Sequence, residues 1–189
     1  MIADHARTRL QDLANTATAA ITQCMPDIER AAQLVRDTVG RGGTLMFCGN
    51  GGSAADAQHM ATEYVVRYMK NRRALAAIAL TTDTSLLTAV GNDLGFDHVF
   101  ARQIEALGKP GDLLVIHSTS GNSPNCLLAA HAARAKGIPV VTLSSRDGGK
   151  LKAMSDVCIV VPTDRTDRAQ EVHLCIEHLI CELVEEDIA

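Results

Sequence analysis

The segment Gly42-Gly-Thr-Leu-Met-Phe-Cys48-Gly-Asn-Gly-Gly-Ser53 decides the fold. Thr44 to Cys48 is a short apolar run of the kind that forms a buried strand, Gly49 to Gly52 is a tight turn, and Ser53 caps a helix running to about Tyr68. Backbone N–H groups at a helix start carry partial positive charge and are free to bind phosphate. One turn further in stand His59 and Glu63, four apart and so on one helical face. An anion cradle beside an imidazole and a carboxylate points to sugar-phosphate chemistry.

Four more β-rich runs follow, Ala76 to Leu80, Leu113 to His117, Val140 to Ser144 and Val157 to Val161, alternating with helical stretches. Strand and helix in alternation predict a parallel sheet covered on both faces. The punctuation agrees: Lys109-Pro-Gly-Asp112 turns into the third strand, Lys136-Gly-Ile-Pro139 stops a helix before the fourth, and Asp147-Gly-Gly149 is the loop after it. Residues 1–41 have helical periodicity, and Pro26 suits the first turn of a second helix, so a helical hairpin is expected ahead of the sheet. The last helix, from about Arg168 to Glu186, has Val172, Cys175, Ile176, Leu179, Ile180 and Leu183 on its apolar side. The chain reads as one domain, residues 1–189, with an α/β core over 42–189.

Ligands of an open parallel sheet bind beyond the carboxyl ends of strands, where the strand order reverses. A second loop, Ser118-Thr-Ser-Gly-Asn-Ser123, directly follows the third strand and precedes a helix starting near Pro124. Ser118, Thr119, Ser120 and Ser123 are its phosphate ligands. One such loop alone is more often a turn and cap than a binding site; two of them, each after a strand, reverse that balance. A Walker-type nucleotide loop is excluded, since neither turn is followed by G-K-[ST].

With 189 residues, 47% of them hydrophobic, the chain is long enough for a substantial core. A net charge of −4 with both signs interspersed, 3% aromatic residues and no tryptophan argue against nucleic acid. No apolar run reaches the roughly 20 residues that span a bilayer, and the first residues carry no signal pattern, which predicts a cytoplasmic protein that meets no membrane. Six scattered cysteines without a C-x-x-C pair read as reduced core thiols.

His59 alone would be a satisfied interfacial or core histidine and Glu63 alone a solvated helix face; beside a phosphate loop the pair suits two ligands of one metal ion, which needs others. The last helix offers Gln170, Glu171, His173 and His178. His173 and His178 are five apart, so at most one faces a given pocket.

Taken together, Cys48 to Ser53, His59, Glu63, Arg67, Gly91-Asn-Asp93, Ser118 to Ser123, Asp147-Gly-Gly149 and Gln170-Glu-x-His173 with His178 resemble the phosphoheptose isomerases of the sugar isomerase (SIS) fold, over nearly the whole length. The resemblance implies a three-layer fold with a five-stranded parallel sheet, and isomerisation of sedoheptulose 7-phosphate to a manno-heptose 7-phosphate, the first step toward nucleotide-activated heptose. It implies substrate contacts from Asn50, Gly51, Gly52, Ser53, Glu63, Arg67, Asn92, Asp93, Ser118, Thr119, Ser120, Ser123 and Gln170. Glu63 and His178 take the catalytic roles, and His59, Glu63, Gln170 and His178 are the zinc ligands. It also implies a homotetramer, packed through the N-terminal helices, with active sites at subunit contacts.

Gln170 and His178 would stand roughly 12 Å apart on one continuous helix. Either Gln170 precedes the regular helix, or the two reach one ion from different subunits. Moving a proton between C1 and C2, and another between their oxygens, suits a carboxylate and an imidazole. A non-catalytic SIS regulator that binds a DNA-replication initiator is the alternative of another class; such relatives lack the glutamate and the last-helix histidine. An isomerase for another sugar phosphate is the alternative within the class. His117, where an apolar or small residue is expected, reads as a buried strand histidine.

Overall fold

A computed structural model describes residues 1–188 of the chain. Five parallel strands, β1 (Leu45–Gly49), β2 (Ala77–Ala79), β3 (Leu113–His117), β4 (Val140–Ser145) and β5 (Val157–Val161), pair in the order β2-β1-β3-β4-β5. The chain builds outward from β1 to β2, crosses back, and continues on the other side from β3, so the order reverses between β1 and β3. Leu45 lies opposite Leu113, and Gly49 opposite His117, so both strands release their loops at the same level.

Alternate residues of each strand point to opposite faces, and each face carries its own core. Leu45, Phe47, Leu113, Val115, Val141 and Leu143 pack under α1 (Ile2–Gly40), α2 (Gly52–Val65) and α6 (Thr166–Ile188). Met46, Cys48, Leu114, Ile116 and Val140 pack under α3 (Thr84–Asp93), α4 (Ala101–Leu107) and α5 (Pro124–Ala135). This is the expected three-layer arrangement.

The expected N-terminal hairpin is a correction: α1 is one helix of 39 residues with Pro26 inside it. An interior proline costs about 3 kcal/mol. Here the apolar stripe stays in register across it, with Ala20, Cys24 and Ile28 buried at intervals of four and Ala31, Ala32 and Val35 continuing it over the sheet. No turn-forming residue interrupts that stripe, so burial outweighs the lost hydrogen bond.

Two boundaries of α2 also differ from expectation. Gly51, in the left-handed region at φ 59°, is the N-cap in place of Ser53, whose N–H bonds to the Asn50 carbonyl. The helix stops at Val65 because the N–H groups of Tyr68, Met69 and Lys70 go to the carboxylate of Glu185, at 2.8 to 2.9 Å. Arg72, paired with Glu185, donates to the last α2 carbonyls, those of Glu63 and Tyr64. On α6, Val172, Ile176, Ile180, Cys181 and Val184 are buried, whereas Leu179 and Cys175 are exposed. The apolar stripe is thus rotated by about one position from the predicted one, with the buried His173 and Glu177 inside it. All six cysteines are free, four of them buried.

Candidate active site

The loops after β1 and β3 meet at the reversal point. Asn50 and Asn125 exchange a reciprocal pair of side-chain amide hydrogen bonds, 2.9 and 2.8 Å, which lock the glycine turn to the first turn of α5. That commits the Asn50 side chain to structure and leaves its backbone N–H for a ligand. The amides of Ser53, Ala54 and Ala55 turn back on the Asn50 and Gly51 carbonyls, so the cradle at this helix start is smaller than the sequence suggests. Gly52 lies against Gln170: a Cβ there would stand 2.7 Å from the Gln170 amide nitrogen and displace that side chain, which also lies 3.4 Å from Ser53 Oγ.

The serine loop is braced from both sides. Ser118 N–H bonds to the Leu143 carbonyl, and the N–H and hydroxyl of Ser145 both bond to Thr119 O. Gly121, at φ 63°, passes so close to Gly148 that a Cβ would sit 1.9 Å from the Gly148 oxygen. Ser123 caps α5, with Pro124 in its first turn. The hydroxyls of Ser118 and Ser123 face each other at 3.5 Å. Thr119, Ser120 and Ser123 are partly exposed, so the loop presents neutral donors over a helix N-terminus, as phosphate binding requires.

Helices α2 and α6 run side by side in the same direction: Ser53 meets Gln170 at one end, His59 meets His178 further along, and Tyr68 meets Glu185 beyond. In the middle, His59 Nε2 lies 3.0 Å from Glu63 Oε1 and 3.1 Å from His178 Nε2, and ligand atoms of all three come within 4.8 Å of one another. Two tetrahedral nitrogen ligands of zinc, each about 2.0–2.1 Å from the ion, stand roughly 3.3 Å apart. His59 Nε2 holds at most one proton, yet faces a carboxylate oxygen and a second ring nitrogen. A convergence of lone pairs of this kind fits a cation. Tyr68, absent from the sequence-based set, stacks on His178 with ring centroids 5.2 Å apart and planes at 15°.

Gln170 is not brought to that group within one chain. It lies inside α6, which starts at Thr166, two helical turns before His178, and its amide rests on the glycine turn. The possibility that it precedes the regular helix is thereby removed. Arg67, Asn92 and Asp93 are exposed; Asn92 donates to Asp93 at 2.7 Å, and among the described residues none of the three bonds to the His59, Glu63 and His178 group.

Beneath the site lie polar groups that spacing alone does not reveal. His117 is fully buried, as expected, with Nδ1 3.3 Å from the Cys48 carbonyl and Nε2 2.6 Å from Glu177 Oε1. Burial alone would lower its pKa; the charge and hydrogen bond of Glu177 outweigh that and hold it above the ordinary imidazole value. His173 bonds to Ser144 O at 2.9 Å, and burial pushes its pKa down to about 4. Burial raises the Asp56 carboxyl, one oxygen of which has no partner among the described residues.

Residues 10–145 match the SIS domain family. The chain is 54% identical over 169 residues to the phosphoheptose isomerase of Akkermansia muciniphila, covering 89% of each chain. It is 55% identical over 163 residues to that of Rhodospirillum rubrum, covering 86% of this chain and 87% of the relative. The solved structure of the phosphoheptose isomerase from Neisseria gonorrhoeae superposes with a TM-score of 0.93 at 43% identity, covering 98% of this chain and all of the other. The chain therefore belongs to the phosphoheptose isomerases of the SIS domain family.

Proposed function

We propose that the protein interconverts sedoheptulose 7-phosphate and D-glycero-D-manno-heptose 7-phosphate, with Glu63 and His178 as its acid–base pair. The observation that carries the reading is the convergence of His59, Glu63 and His178 between two parallel helices, in a chain about half identical to phosphoheptose isomerases over most of its length. The serine loop, Ser118, Thr119, Ser120 and Ser123, holds the 7-phosphate with neutral donors and the α5 N-terminus. Backbone of the glycine turn (Asn50, Gly51, Gly52), Ser53 and the Gln170 amide contact the sugar.

With phosphate anchored, the far end of the sugar extends to the acid–base pair. Glu63 removes the proton from C1 of the open-chain ketose and returns it to C2 of the resulting enediol. His178 moves a proton between the oxygens on C1 and C2, and Tyr68, stacked on its ring, limits its rotation. His59 holds the Glu63 carboxylate in place at 3.0 Å. The donor set and its spacing fit zinc, which His59, Glu63 and His178 would hold. Zinc bound there would supply Lewis acidity that stabilises negative charge developing on the sugar oxygens, and a Glu63 held by the ion would be a weaker base, so its two roles compete.

Arg67, Asn92 and Asp93 are surface residues of the single chain, and exposed Val66, Met69 and Phe96 lie in or near the same segments. We assign these to a subunit contact in a homotetramer, which would carry all three residues toward a shared site. No helix among the described residues is long and apolar enough to cross a membrane.

The test is turnover of sedoheptulose 7-phosphate by purified protein, followed by mass spectrometry, with added zinc and with a chelator. The proposal expects turnover that falls on chelation and returns with zinc. Turnover indifferent to chelator would remove the metal and leave Glu63 and His178 acting alone. No turnover in any condition, with conversion of a different ketose phosphate, would overturn the substrate.

A further inference from the structure

His117 and Glu177 have no part in the reaction above, yet each is the immediate neighbour of a residue that has: His117 precedes Ser118, and Glu177 precedes His178. Resting on that functional reading, we propose that the buried His117–Glu177 hydrogen bond is a positioning device that fixes His178 over the sugar relative to the serine loop. The two side chains, 0% and 5% exposed, meet at 2.6 Å and join the end of β3 to the middle of α6.

The chemistry of the contact makes it directional. The Cys48 carbonyl accepts only, so Nδ1 of His117 must be the donor there, which leaves a single proton between Nε2 and Glu177 Oε1. Both ring nitrogens are therefore in use, and the face of the ring stacks on Phe47 with centroids 6.2 Å apart. The ring is held at both nitrogens and on one face, and it sits at the end of β3, the middle strand of the sheet. The bond to Glu177 carries that placement to the turn of α6 that bears His178.

Stability does not explain the pair. Glu177 Oε2 is buried without a partner among the described residues, and Glu177 lines a cavity of about 20 Å³ whose other walls include Val35, Phe47, Val115 and Ile180. Apolar residues would fill that space at lower cost, since a buried ion pair is seldom worth more than well-packed hydrophobic side chains of the same volume. What an apolar pair lacks is an angle-dependent bond that sets the rotation of α6 about its axis. The neighbouring tethers of that helix, Gln170 to Ser53 and His173 to Ser144 O, hold the turns before Glu177. The bond to His117 is the tether adjacent to the reacting histidine, between those two and the Glu185 cluster about two turns further on.

The experiment compares Glu177→Leu, Glu177→Gln and the double variant H117L/E177L with wild type on sedoheptulose 7-phosphate, well below each thermal midpoint. Glu177→Leu should lower kcat roughly tenfold or more with KM within about twofold, because small misplacements of a reacting group cost rate and not phosphate binding. Glu177→Gln, which keeps the bond, should stay within about threefold of wild type. The proton NMR spectrum should show a strongly deshielded His117 ring N–H in wild type that Glu177→Leu removes. If Glu177→Leu does not fold, the double variant, which leaves no polar group stranded, makes the same comparison and should show the same kcat loss. Wild-type kcat in either leucine variant, or KM rising in step with the fall in kcat, overturns the proposal. Absence of turnover in wild type itself would instead overturn the functional reading.

Discussion

Replacing Glu185 by alanine tests whether one buried carboxylate holds together the far end of the site. Glu185 accepts three backbone N–H bonds, from Tyr68, Met69 and Lys70, and lies 2.9 Å from Nε of Arg72, whose side chain is fully buried. Arg72 in turn caps the carbonyls of Glu63 and Tyr64. Glu185→Ala strands a buried guanidinium and three amides; breaking a buried pair by removing one partner costs about 3–5 kcal/mol. For a domain of this size 1 kcal/mol moves the midpoint by about 2–4 °C, so calorimetry at one fixed subunit concentration and pH 7 should show a drop of roughly 6–20 °C. The pH dependence has a definite sign. Burial raises the Glu185 carboxyl, but the three N–H bonds and Arg72 outweigh it and hold the pKa below the usual 4.5. Its contribution is therefore present above 4.5 and lost as pH falls through the lower folded value, so wild type and variant should converge in acid. Because Tyr68 belongs to the same cluster and stacks on His178, kcat should fall as well. A midpoint within about 3 °C of wild type at pH 7 would refute the reasoning.

Three further outcomes follow from other parts of the molecule. Gly121→Ala forces a methyl group onto the Gly148 carbonyl at a φ of 63°, so beyond the roughly 1–2 kcal/mol of left-handed strain the serine loop must move; KM for the sugar phosphate should rise far more than kcat falls, and an unchanged KM would contradict the loop's assignment. His173 remains neutral in the fold down to about pH 4, against 6.5 when free, so wild type should lose roughly 3 kcal/mol as pH drops between those values, and His173→Gln, which keeps a donor for Ser144 O, should flatten that slope in urea titrations. Asn125→Ala frees the Asn50 side chain and unlocks the glycine turn from α5; a buried amide pair of this kind costs about 1–3 kcal/mol, measurable as a shift in urea midpoint, with KM rising because the turn loses its brace.

Much of this organisation was legible in the sequence, for reasons visible in particular residues. The five strands are short apolar runs bounded by glycine and proline, so period and punctuation coincide, and the glycine turn and the serine loop follow the two strands that flank the reversal. His59 and Glu63 could be paired because helical spacing fixes their relation locally. What was illegible depends on long-range partners. Pro26 reads as a helix start until the sheet beneath α1 is known to bury the stripe on both sides of it. The α6 stripe reads one position off because two polar residues, His173 and Glu177, belong to it only once Ser144 O and His117 are brought to them. Tyr68 and Glu185 are 117 residues apart, and only the parallel course of α2 and α6 lets one determine where the other's helix ends. The Gln170 position was the converse case: family resemblance grouped it with three residues that, within one chain, stand two turns away.

The most direct test of the central claim is a side-by-side mass-spectrometric assay of wild type and Glu63→Gln on sedoheptulose 7-phosphate, with binding of the sugar phosphate measured on the variant by calorimetry. The account predicts formation of the aldose heptose 7-phosphate by wild type, loss of turnover in Glu63→Gln, and binding retained in the variant because the serine loop and glycine turn are untouched. Turnover persisting in Glu63→Gln would contradict Glu63 as the base that moves the carbon-bound proton.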